Sequence, residues 1–129
     1  MGIFNKLFSG STEEKKIKTL PWIPLTTLEQ LQDIETKSNS KTQVIFKHST
    51  RCGISRMVLK QFEADYHLTE SHLDLYYLDL LNYREISNEI ATKFKVLHES
   101  PQLLVVKNGE VEAYESHGGI NSLDLSSFI

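Results

Sequence analysis

From residue 20 onward, apolar residues fall in short blocks whose spacing changes from one block to the next. Leu20, Trp22, Ile23 and Leu25, broken by Pro21 and Pro24, predict a short edge strand or an extended lead-in. Thr26 or Thr27 then caps a helix carrying Leu28, Leu31 and Ile34 on one face, which fades into the polar loop Lys37 to Lys41. Val44-Ile45-Phe46 is a continuous apolar run of β-branched and aromatic residues, the pattern of a strand buried on both faces. A polar loop, His48-Ser49-Thr50-Arg51, leads to Cys52, and Ile54, Val58, Leu59 and Phe62 follow at helical spacing. Leu73 to Leu80 predicts a second buried strand, and Tyr83 to Phe94 a helix with Ile86, Ile90, Ala91 and Phe94 facing inward. Leu103 to Val106, Asn108-Gly109 and the alternating Val111 and Ala113 read as a hairpin, because Asn-Gly readily takes the backbone of a tight two-residue turn. After Gly118-Gly119, a cap at Asn121 or Ser122 opens a last short helix through Leu123, Leu125 and Phe128.

The predicted order is strand, helix, strand, helix, strand, helix, hairpin, helix. It describes an α/β half joined by a helix to a ββα half, with a parallel βαβ unit and an antiparallel hairpin in one sheet. A chain of 129 residues with 40% hydrophobic content can bury one core without disulfides or metal, so one domain is expected over residues 20–129. Residues 1–19 read as a flexible N-terminal arm. Its apolar stretch from Met1 to Phe8 is too short for a secretory signal, and Lys6 stands where a myristoylation motif needs Ser or Thr. No stretch approaches the roughly 20 apolar residues of a membrane span. The net charge of -3 comes from interspersed acids and bases, without the basic stripe that nucleic-acid partners select. The expected location is therefore the cytoplasm, with no membrane or nucleic-acid partner.

One cysteine excludes an internal disulfide. Lone cysteines are commonly inert core residues, but Cys52 falls at or just before the first turn of an amphipathic helix that follows a buried strand. That places it at the carboxyl edge of a parallel sheet, where ligands bind. Unpaired N–H groups and the dipole at a helix N-terminus favour the thiolate, the form that attacks disulfides. Arg51, Lys47 and His48 are expected to add positive potential, although each taken singly also fits a solvated loop.

Cys52-Gly53-Ile54-Ser55 resembles the redox motif of thioredoxin-fold proteins with the second cysteine replaced by Ser55, and Ser100-Pro101 resembles their cis-proline turn. Together with Trp22-Ile23-Pro24-Leu25, Val44 to Ser49 and Ser100-Pro101-Gln102, the chain from about Leu20 to Ile129 is similar to the monothiol bacilliredoxins. The resemblance implies a thioredoxin-like α/β fold, with a central mixed four- to five-stranded sheet flanked by helices. It also implies removal of bacillithiol from bacillithiolated proteins, with Cys52 as nucleophile, an external low-molecular-weight thiol as co-substrate and no tightly bound cofactor. His48, Arg51, Gly53, Ile54, Ser55, Ser100, Pro101, Gly118 and Gly119 are the expected supporting residues. Ser55 either hydrogen-bonds the thiolate or faces solvent in the first turn. His48 and His117 either serve the site or sit in solvated loops, and Gly118-Gly119 either admits a thiol cofactor to the backbone or simply turns the chain.

Two rivals come from other classes. A monothiol glutaredoxin has a similar Cys-Gly-Phe-Ser motif and can hold an iron-sulfur cluster, yet Ile54 replaces Phe and no Cys-Asp pair follows Gly119. A non-catalytic adaptor would leave Cys52 incidental. The five histidines, His48, His67, His72, His98 and His117, are scattered and give no zinc-ligand spacing.

Overall fold

The hydrophobic blocks assemble around the strand that carries the longest buried run. The computed structural model describes residues 20–129, so the expectations for the N-terminal arm, including Gly2 and Met1 to Phe8, lie outside the described residues. The elements are β1 (Trp22–Pro24), α1 (Glu29–Lys37), β2 (Thr42–His48), α2 (Gly53–Asp65), β3 (Leu73–Asp79), α3 (Arg84–Phe94), β4 (Gln102–Lys107) and β5 (Glu110–Ser116). They form one five-stranded mixed sheet in the order β1-β3-β2-β4-β5. β3 runs parallel to β1 and β2, whereas β4 is antiparallel to β2 and to β5.

All seven residues of β2 are buried, as a central strand covered on both faces requires. Its side chains alternate between two cores. Ile45 joins Leu31, Ile34, Ile86, Ile90 and Phe94 under α1 and α3. Val44 and Phe46 join Val58 and Phe62 under α2, where the Phe46 and Phe62 rings lie 5.2 Å apart and Trp22 meets Phe46 edge-on at 6.0 Å.

The local signals act as expected at several points. Thr27 and Gln30 form a reciprocal cap on α1: the Gln30 amide donates to Thr27 Oγ1 at 3.3 Å, and Gln30 Oε1 accepts from the Thr27 amide at 3.0 Å. Asn108 and Gly109 hold φ of 53° and 81°, the two positive values of a tight hairpin turn. The hairpin tip is pinned to the end of α1, with the Asn108 amide donating to the Ser38 carbonyl and the Gly109 amide to Ser38 Oγ, each at 2.8 Å.

Three details differ from the expectations. Leu28 is exposed, because it precedes the first turn of α1 and misses the row formed by Leu31 and Ile34. α3 starts at Arg84, with Tyr83 as the flanking residue. The last α-helix is replaced by two short 3-10 turns, His117–Ser122 and Leu125–Phe128, separated by extended backbone at Leu123 and Asp124. Extended backbone at Leu123 and Asp124 interrupts the expected helix, and Asp124 restarts the chain by capping Ser126. Ile120 and Leu125 from these turns close the core beneath α2. Among the described residues, no helix is long and apolar enough to cross a membrane.

Candidate active site

The parallel arrangement of β2 and β3 delivers the chain from the carboxyl end of β2 directly into α2. Ser49 to Arg51 make the turn, and Cys52 occupies the N-cap of α2 with extended backbone, φ -103° and ψ 121°. Its amide donates to the Ser49 carbonyl at 3.2 Å and its carbonyl accepts the Arg56 amide at 3.0 Å. The residue is half-buried, so the thiol sits at the molecular surface rather than in the core. Gly53 and Ile54 follow on the exposed side, and Ile54 is 57% exposed.

Ser55 resolves its two readings in favour of neither. It is fully buried, and its Oγ accepts the Ser49 amide at 3.1 Å and lies 2.8 Å from His48 Nδ1. One hydroxyl can accept from the amide and donate to the imidazole at once. His48 is correspondingly a buried side chain, packed with its ring 5.8 Å from that of Tyr77. Burial pushes its pKa below the usual histidine value, with Arg56 acting in the same sense and Asp79 and Glu63 opposing. The 2.8 Å contact ties the His48 ring to the first turn of α2, and the pair braces the turn that carries Cys52.

Lys47, expected beside Cys52, belongs to the opposite face of the sheet. The period of two that turns His48 toward α2 turns Lys47 toward α3. Its Nζ lies 3.2 Å from His98 Nδ1 and 3.5 Å from the Ser87 carbonyl, and the residue is fully buried. Burial lowers its pKa from 10.5 to about 8. Arg51 is exposed in the turn. Sequence reasoning missed Arg56, whose Nη1 donates to the Thr50 carbonyl at 3.1 Å. The signal was its spacing, one helical turn after Cys52.

The sheet brings the second half of the site to the same end. Lys47 pairs with Gln102 and Gln102 with Ser116, so β4 begins and β5 ends beside the carboxyl end of β2. The Ser100–Pro101 bond is cis, as its resemblance implied. The Pro101 carbonyl accepts the His117 amide at 3.0 Å, joining the proline turn to the segment after β5. Ser100 is half-buried and its Oγ has no hydrogen-bond partner among the described residues. Gly118 is exposed and, with Ile54, Met57, Val58, Gln61 and Asn121, lines a shallow apolar depression along α2. Gly119 instead turns toward the Glu115 carboxylate. The positive φ in this segment falls on His117, at 54°, and on neither glycine.

With this arrangement in view, the profile of the monothiol bacilliredoxin BrxC family matches residues 23–125. The chain belongs to that family. A solved structure described as a candidate oxidoreductase with a thioredoxin fold is 34% identical, with a TM-score of 0.69 over 83% of this chain and 92% of that one. Two thioredoxins share the fold at lower identity. That of Malassezia sympodialis is 18% identical with a TM-score of 0.60, covering 87% of this chain and 86% of its own. That of Schistosoma mansoni is 16% identical with a TM-score of 0.61, covering 84% and 92%. Family and fold together give this bacilliredoxin a role in thiol redox chemistry.

Proposed function

We propose that the protein removes bacillithiol from protein mixed disulfides, with Cys52 as its only nucleophile. The supporting observation is the contrast between the two key positions of the motif. Cys52 is half-buried at a helix N-terminus, whereas Ser55 is fully buried and its hydroxyl is committed to His48 and Ser49. The Cys52 thiolate attacks the sulfur of the small thiol. The bond between that sulfur and the substrate cysteine breaks, and the electron pair leaves on the substrate sulfur, which takes up a proton. Cys52 is left in a mixed disulfide. No second thiol exists in the chain to resolve it, so a free low-molecular-weight thiol attacks, restores Cys52 and departs as a small disulfide. A chain with one exchangeable sulfur suits the cytoplasm, where thiols are kept reduced.

The test follows release of a model protein from its bacillithiol adduct by mass spectrometry. Release is expected to be stoichiometric without added bacillithiol and catalytic with it, and Cys52→Ala should abolish both phases. Equal or faster release of the same protein from a glutathione adduct would refute the bacillithiol assignment. Activity surviving Cys52→Ala would refute the chemistry itself.

A further inference from the structure

Cys52 forms no side-chain cap hydrogen bond on α2, so the backbone of the turn alone places its sulfur. That turn is held from the core side by a line of hydrogen bonds. The Cys52 amide donates to the Ser49 carbonyl at 3.2 Å, the Ser49 amide donates to Ser55 Oγ at 3.1 Å, and Ser55 Oγ lies 2.8 Å from His48 Nδ1. Ser55 is 0% exposed and His48 4%, so bulk water does not replace either partner. The far end of the line is fixed to the sheet. The His48 carbonyl accepts the Leu80 amide at 3.1 Å, the residue pairs in register with Asp79 on β3, and its ring packs on that of Tyr77. Asp79 from β3 and Glu63 and Arg56 from α2 are the charges that bear on the ring, and burial outweighs the two acids. So deeply set, and with Nδ1 engaged, the imidazole does not touch a substrate. Whatever it does for Cys52 passes through Ser55.

We infer that His48 is a positioning residue of the exchange at Cys52, acting through Ser55 to hold the sulfur in line with the disulfide it attacks. The inference rests on the proposed exchange reaction and adds to it the group that aims the nucleophile. Displacement at sulfur runs along the axis of the breaking S–S bond, and a shift of ~1 Å in a reacting atom can cost roughly 100-fold in rate. A cap residue without a side-chain bond has no hold of its own against such a shift. The end of β2 supplies one, through two side chains that stay in the core. Ser55 thereby serves the reaction without exchanging electrons in it.

The test compares two reactions of Cys52: single-turnover exchange with a protein mixed disulfide, and alkylation by iodoacetamide. Both consume the thiolate, but a small, freely tumbling reagent tolerates a displaced sulfur. The ratio of exchange to alkylation rates therefore reads aim and cancels thiolate content. His48→Leu should lower the ratio roughly 5-fold, the size expected of one lost hydrogen bond. Ser55→Ala should lower it by a similar factor, and His48→Leu added to Ser55→Ala should lower it no further. His48→Asn puts an amide atom where Nδ1 stood and should recover most of the loss, whereas His48→Gln, whose amide lies one atom further out, should not. Rates are read without denaturant on proteins shown to be folded by circular dichroism, and if His48→Leu does not fold, Ser55→Ala and the Asn and Gln variants decide. A ratio unmoved by His48→Leu, equal ratios in the Asn and Gln variants, or losses that multiply in the double variant would overturn the inference. Wild-type protein that alkylates but does not exchange would instead count against the proposed function.

Discussion

Lys47 is a fully buried ammonium on the α3 side of β2, and replacing it with methionine changes its charge while nearly keeping its volume. Its pKa is about 8 in the fold and 10.5 in the unfolded chain. Between those values the unfolded chain binds the extra proton, so stability rises with pH across this window. Below it both states are protonated and the fold carries the full cost of burying the charge. Linkage between 8 and 10.5 puts that cost at about 3 kcal/mol at pH 7, falling to about 1.5 at pH 9.5. Lys47→Met removes this cost but takes the Lys47 contacts away from the Ser87 carbonyl and from His98 Nδ1, which keeps Ser87 Oγ at 3.4 Å, a loss of about 1 kcal/mol. The variant should therefore be more stable than wild type by about 2 kcal/mol at pH 7, and wild type should recover about 2 kcal/mol of the difference by pH 9.5. Tyr66 and Tyr76, pushed up to about 12 by burial, lose stability above pH 10, but they do so in both proteins and cancel. Urea titrations of the two proteins from pH 7 to 9.5 measure the difference directly. A difference that does not change with pH would refute the assignment of a buried, titrating amine.

Acid should also destabilise the fold. His48 and His98 are both lowered from 6.5 by burial, so the unfolded chain takes up protons first as pH falls below that value, and urea midpoints should drop from there downward. Ser55→Ala orphans the buried Ser49 amide and His48 Nδ1, and should cost about 1 to 3 kcal/mol in chemical denaturation while single-turnover attack by Cys52 persists. Ser55→Cys should release the small thiol and leave a disulfide between positions 52 and 55, seen as a loss of two mass units. Gly109→Ala should destabilise the hairpin by about 1 kcal/mol, since its φ of 81° and not crowding sets the cost: the nearest atom to an added Cβ, Glu35 Cγ, is 3.9 Å away. Anaerobic incubation with iron, sulfide and thiol should leave no stable cluster, and a brown dimer surviving gel filtration would favour the glutaredoxin reading.

The one-dimensional pattern was enough to place the strands, the first three helices and the hairpin, because each depends on local rules. A run such as Val44-Ile45-Phe46 requires two covered faces, Asn108-Gly109 requires a tight turn, and the spacing after Cys52 requires a helix that starts there. The position of Cys52 at the start of a helix and the cis Ser100–Pro101 bond were legible through family resemblance. Partners were not. Strand periodicity states that Lys47 and His48 face opposite ways, but only the packing of α2 on one side and α3 on the other decides that His48 meets Ser55 while Lys47 meets His98. Ser55 is buried because α2 lays its first turn against the end of β2, a contact that no propensity at residue 55 encodes. The C-terminal segment became two 3-10 turns because Ile120 and Leu125 had to reach the core beneath α2, overriding a weak local helix signal. Local geometry follows from neighbours in the chain, whereas the hydrogen-bond partner and burial of a polar side chain follow from which surfaces meet across the fold.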